Sequence, residues 1–137
     1  MNPFLLLPEY EQFVYTLQGL YPSIRRSTLT VIRRGAAVAR LTGELEIGVY
    51  RIVVREKLSF ADGPGQIISY GYEVWRGEEK LYWYDSQAHP NDPTLAATDP
   101  HHKHIPPNIK RHRIPALELS FTKPNLPFLI WEVEQLL

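Results

Sequence analysis

The chain contains no cysteine. That absence excludes disulfides, thiolate zinc sites and cysteine nucleophiles, and it removes any pointer to an oxidising compartment. Net charge is lacking too: fifteen basic residues balance fifteen acidic ones. No global field therefore draws the protein onto nucleic acid or a membrane, and such binding must come from local patches. Long apolar runs are also missing. The opening MNPFLLLPEYEQF carries a short apolar stretch but no basic start and no small-residue cleavage site. It is too short for a signal-peptide core or a membrane span. A cytoplasmic protein without membrane contact is expected, and no internal repeat or low-complexity tract is found.

What is present suits one domain over residues 1–137, with enough apolar side chains for a real core. Residues 9–20 set Tyr10, Phe13, Val14, Leu17 and Leu20 at spacings of three and four, which predicts a short helix between Pro8 and Gly19. From Ser27 the period changes to two. Strands are predicted over 27–33, 36–47, 50–60, 67–75 and 80–84, with a last short one over 116–121 and a closing helix over 126–137. Short connections between successive strands argue for an antiparallel meander, because parallel pairs need long crossovers. The expected fold class is α+β: an antiparallel sheet of about five strands with N- and C-terminal helices packed on it.

One position violates the alternation. Glu56 shares parity with Ile52, Val54, Leu58 and Phe60, so its carboxylate is predicted to point inward. A buried carboxylate needs partners or a proton, and the hydroxyls of Tyr70 and Tyr72 are within the reach of that reading.

All five histidines fall between Tyr84 and His112, a segment that also carries five prolines. Those prolines argue against a long helix or a central strand there, and a histidine-rich loop on a regular scaffold is a common form of working site. Within His101-His102-Lys103-His104, an extended backbone sets His102 and His104 on one side and His101 and Lys103 on the other, whereas a helical turn would pair His101 with His104. Three readings follow. In metal-free phosphodiester cleavage, histidines and Glu56 exchange protons while Lys103 stabilises charge on phosphorus. In a metal site, His89, His101, His102, His104 and Asp85 supply donors, although their spacing matches no strong zinc signature, so no cofactor is expected. In the third, the histidines are only polar loop residues.

The strand bearing Glu56, the Tyr70-x-Tyr72 strand, Tyr84-Asp85, His89-Pro90 and Pro100-His101-His102-Lys103-His104 together resemble the TumE toxin family over roughly residues 36–105. The loop reads YDSQAHP, with Ser86 and a single histidine, where the family pattern is nearer YDNAPHHP. The resemblance implies the toxin of a type II toxin–antitoxin pair, encoded beside a helix-turn-helix antitoxin. Combined with the histidine chemistry it leads to an expected ribonuclease-type growth inhibitor acting on RNA. His101, His102, His104, Lys103, Glu56 and Asp85 are the expected catalytic residues. Tyr72, Tyr84, His89, Lys110 and Arg111 are expected to hold substrate by stacking or phosphate contact. The alternatives are a non-catalytic module docking a protein partner, and a metal-dependent hydrolase. Trp75, Trp83 and Trp131 are read first as core packing and second as a homodimer interface.

Overall fold

A computed structural model describes residues 2–87, 91–94 and 99–137. Two short helices open the chain, α1 (Leu7–Tyr15) and α2 (Leu17–Leu20). The expected single helix is broken at Thr16, whose hydroxyl donates back to the carbonyls of Gln12 and Phe13 and competes with helix propagation. The apolar stripe survives the break: Tyr10, Val14 and Leu17 are buried, while Leu20 is exposed.

Among the described residues eight strands follow rather than about five: β1 (Ile24–Ser27), β2 (Thr30–Arg33), β3 (Val38–Ile47), β4 (Tyr50–Ser59), β5 (Gln66–Arg76), β6 (Glu79–Asp85), β7 (His102–His104) and β8 (Arg113–Pro115). They form one sheet in the order β1-β3-β4-β5-β6-β7-β8, with β2 also paired to β3, and every pairing is antiparallel. The stretch expected as one strand over 27–33 divides at Thr28-Leu29. There the chain crosses so close to Gly43 that a Cβ on that residue would lie 2.5 Å from the Thr28 carbonyl oxygen. Gly43 also sits at φ 136°, a conformation that favours glycine.

The prolines of the histidine segment do not keep it out of the sheet. The three residues of β7 pair with β6 on one side and β8 on the other, which is permitted because the prolines lie outside the strand. No strand forms over 116–121; the chain instead closes local bonds, Leu119 N–H to Ala116 O and Ser120 N–H to Asn125 Oδ1. Helix α3 (Leu126–Glu134) ends the fold, with Pro127 in its first turn and Leu126, Leu129, Ile130 and Val133 buried.

Alternation then sorts the sheet into two faces. Ala39, Leu41, Leu45 and Ile47 of β3, Ile52, Val54, Glu56 and Leu58 of β4, Tyr70, Tyr72 and Val74 of β5, and Tyr82 and Tyr84 of β6 point to the face that α1 and α3 cover. Arg40, Thr42, Arg55, Lys57, Ser69 and Asp85 have the opposite parity. Most of them are solvent-exposed.

Candidate functional site

Cross-strand register decides which face each sequence-predicted residue occupies. Tyr84 lies opposite Tyr72 and Lys103 opposite Tyr84, so Lys103 joins the helix-covered face, and His101 shares its parity. Asp85 lies opposite His102, and Trp83 opposite His104, which places these four on the other face. Glu56 and Tyr72 do not share a site with Asp85, His102 and His104, because the sheet itself stands between Glu56 and Asp85.

On the covered face Glu56 is buried as its parity predicts. Its carboxylate accepts from the hydroxyls of Tyr10 at 2.6 Å and Tyr72 at 2.5 Å. Asn125 Nδ2 donates to the Tyr72 oxygen at 3.1 Å and to Ser120 O at 3.0 Å. Burial raises the Glu56 carboxyl above its ordinary range, and the two tyrosine donors pull it back only in part. This network joins α1, β4, β5 and the start of α3 across the middle of the core. Tyr70, the other hydroxyl weighed for Glu56, instead meets Nδ1 of His101 at 2.6 Å, with the rings parallel. His101 also packs on Phe121, and burial holds its imidazole below the usual histidine value. Lys103 Nζ donates to Glu132 Oε2 at 3.1 Å and lies over the rings of Tyr82 and Tyr84. The Tyr84 hydroxyl donates to the same carboxylate. Lys103 and Tyr84 therefore tie β7 and β6 to α3.

The open face carries a groove of about 500 Å³, whose polar walls are Arg40, Thr42, Arg55, Lys57, Ser69 and Asp85. Its floor is low at Gly71, where a Cβ would run into the Arg55 guanidinium. Asp85 closes one end, and behind it stand His102 and His104. One carboxylate oxygen and one nitrogen from each ring lie within 4.8 Å of one another. The two imidazoles are nearly fully buried and cross edge-on, with centroids 4.8 Å apart. Trp83 stacks flat on His104 at 3.7 Å, and its indole N–H donates to Ile109 O at 3.2 Å, so the connection after β7 folds onto this face. Burial first, and the neighbouring His102 second, lower the His104 pKa to about 4; the Ile109 carbonyl acts in the opposite direction. The ring is therefore neutral at physiological pH, a lone-pair donor rather than an acid.

The remaining predicted residues lie apart. Lys110 and Arg111 are exposed on the turn between β7 and β8, off the groove walls, and His89 lies outside the described residues. Of the tryptophans, Trp75 is half-buried between the cations of Arg51 and Lys80, and Trp131 is exposed on α3. The groove cations Arg55 and Lys57 were legible as the polar parity of β4, but alternation alone does not say that a groove runs between them and Asp85.

A family model described as toxin TumE matches residues 13–137. The chain belongs to the TumE toxin family. No curated protein and no solved structure gave a significant match. The TumE match is wider than the stretch over 36–105 that carried the resemblance, and it takes in β1, β2, β8 and α3. Membership in a toxin family implies an antitoxin partner in general. Among the described residues, no helix is long and apolar enough to cross a membrane.

Proposed function

We propose that this TumE toxin arrests growth by cleaving RNA on the open face of its sheet, and that a cognate helix-turn-helix antitoxin restrains it. The observation that carries this reading is the groove whose exposed cations, Arg40, Arg55 and Lys57, lead to the Asp85–His102–His104 group. A phosphodiester backbone is recognised by charge neutralisation along such a row. A neutral imidazole beside a carboxylate is suited to taking a proton from a ribose hydroxyl or an attacking water. His101, Lys103 and Glu56 then act from behind the sheet, as positioning residues that fix β7 and β5 against the helices. Lys110 and Arg111 add backbone affinity from the neighbouring turn.

Induced expression tests this. The native chain is expected to stop growth and to leave fragmented total RNA, whereas equally soluble Arg55→Ala and Asp85→Asn variants should leave both growth and RNA intact. Growth arrest with intact RNA would remove the ribonuclease reading in favour of a surface that inhibits by docking a partner.

A further inference from the structure

We infer that Asp85, His102 and His104 form a binding site for one divalent transition-metal ion of the zinc or manganese class. Sequence spacing gives no zinc signature here because the three donors come from two strands joined by a long connection. The pairing of β6 with β7 brings them together. His102 and His104 are i and i+2 on β7 and share a face, and Asp85 is the cross-strand partner of His102. The result is a set of two histidines and one carboxylate on one side of a rigid sheet, a donor combination used by mononuclear metal sites that keep open positions.

Four further observations point to a ligand. His104 is 5% exposed, and among the described residues neither of its ring nitrogens makes a hydrogen bond of ordinary geometry, the Ile109 carbonyl being only a near neighbour, which is unusual for a buried polar side chain. Trp83 stacked on its face fixes the ring without using a nitrogen. His102 Nδ1 lies 3.2 Å from the Pro100 carbonyl oxygen. With the ring nitrogen donating, that contact sets the orientation of the imidazole, as outer hydrogen bonds do for metal-binding histidines. Asp85 is held in turn: its Oδ1 accepts from the Gln87 backbone N–H at 2.5 Å.

Donors around such an ion stand about 2.0–2.2 Å from it, hence about 3.3–3.6 Å from one another in tetrahedral geometry. The three here already lie within 4.8 Å, so closing on an ion asks for side-chain rotation rather than movement of strands. Arg113, the β8 partner of His104, brings a positive charge near, and Asp99 pairs with it at 3.3 Å. Three protein ligands leave coordination positions for water or a substrate oxygen, and Asp85 faces the groove. The inference deepens the proposed function, since it lies at the reactive end of that groove, but the binding itself can be measured without RNA.

The experiment uses untagged full-length protein, stripped with chelator and titrated calorimetrically with zinc and then manganese. The absorption spectrum of the cobalt-loaded form reports the nitrogen and oxygen ligands directly. One equivalent should bind. Asp85→Asn, which keeps the side-chain shape, should weaken binding at least tenfold, His104→Ala should abolish it, and His112→Ala, an exposed histidine outside the group, should leave it unchanged. If His104→Ala does not fold, Asp85→Asn and the cobalt spectrum still decide. Absence of saturable one-to-one binding, or binding that Asp85→Asn leaves unaltered, overturns the site. Native protein that fragments RNA while holding no metal ends this inference and keeps the proposed function. One bound ion in a protein that leaves RNA intact does the reverse.

Discussion

Glu56 is the residue on which the interior turns. A carboxylate in the middle of an apolar core is unfavourable unless hydrogen-bonded, and the hydroxyls of Tyr10 and Tyr72 supply those bonds. Removing one donor by Tyr10→Phe leaves the carboxylate under-partnered and should cost about 1.5–3 kcal/mol in a urea unfolding titration. The pH dependence has a definite sign. Burial raises the Glu56 carboxyl above 4.5 in the folded chain. A carboxyl that holds its proton more tightly when folded favours the fold fully below the unfolded value. That contribution is lost as pH rises through the raised folded value. Glu56→Gln has no proton to lose. Relative to that variant, the native chain should therefore lose stability as pH is raised from about 4 toward neutrality. Parallel unfolding midpoints across that range would show that Glu56 does not titrate as described.

At the scale of elements, two junctions hold the sheet in register. The first is the close crossing of the Thr28-Leu29 segment over Gly43. An added Cβ there meets backbone atoms that cannot step aside, at a φ that side chains rarely adopt. Gly43→Ala should destabilise the protein by about 3 kcal/mol, while Gly35→Ala, which meets open space, should be close to neutral. Equal effects at the two positions would remove the steric argument. The second junction is Lys103 with Glu132, which docks β7 onto α3 through a half-buried ion pair. A double-mutant cycle with Lys103→Met and Glu132→Gln should return a coupling of about 0.5–1 kcal/mol. A coupling near zero would mean that Tyr84 alone carries the contact to Glu132.

For the whole molecule, the division of labour between the two faces matters most. Apolar side chains and the Glu56 network occupy the face under α1 and α3, and the cations and the Asp85 group occupy the other. Stability and function should therefore separate on substitution. Arg55→Ala, at an exposed groove position, should shift stability by no more than about 0.5 kcal/mol. It should weaken RNA binding across sequences and lower the slope of log affinity against log salt by about one. An unchanged salt slope would place the nucleic-acid contact elsewhere.

How much of this was written in the chain can be followed residue by residue. Alternation is a local property, so the sequence by itself determined the antiparallel strands from Val38 to Asp85, the inward carboxylate of Glu56 and, given an extended backbone, the shared side of His102 and His104. The TumE resemblance rested on the same residues. What local pattern cannot contain is the register between strands separated by a long connection. A slip of one residue in the β6–β7 pairing would move His102 and His104 to the helix-covered face and bring His101 and Lys103 out beside Asp85. The observed register is held by contacts distant in sequence: Lys103 and Tyr84 on Glu132, His101 on Tyr70, and Trp83 on His104. Those contacts exist only once α3 has packed and the chain after β7 has folded back. Only the tertiary structure could therefore split the histidine cluster, leaving His101 to the core and giving His102 and His104 to Asp85.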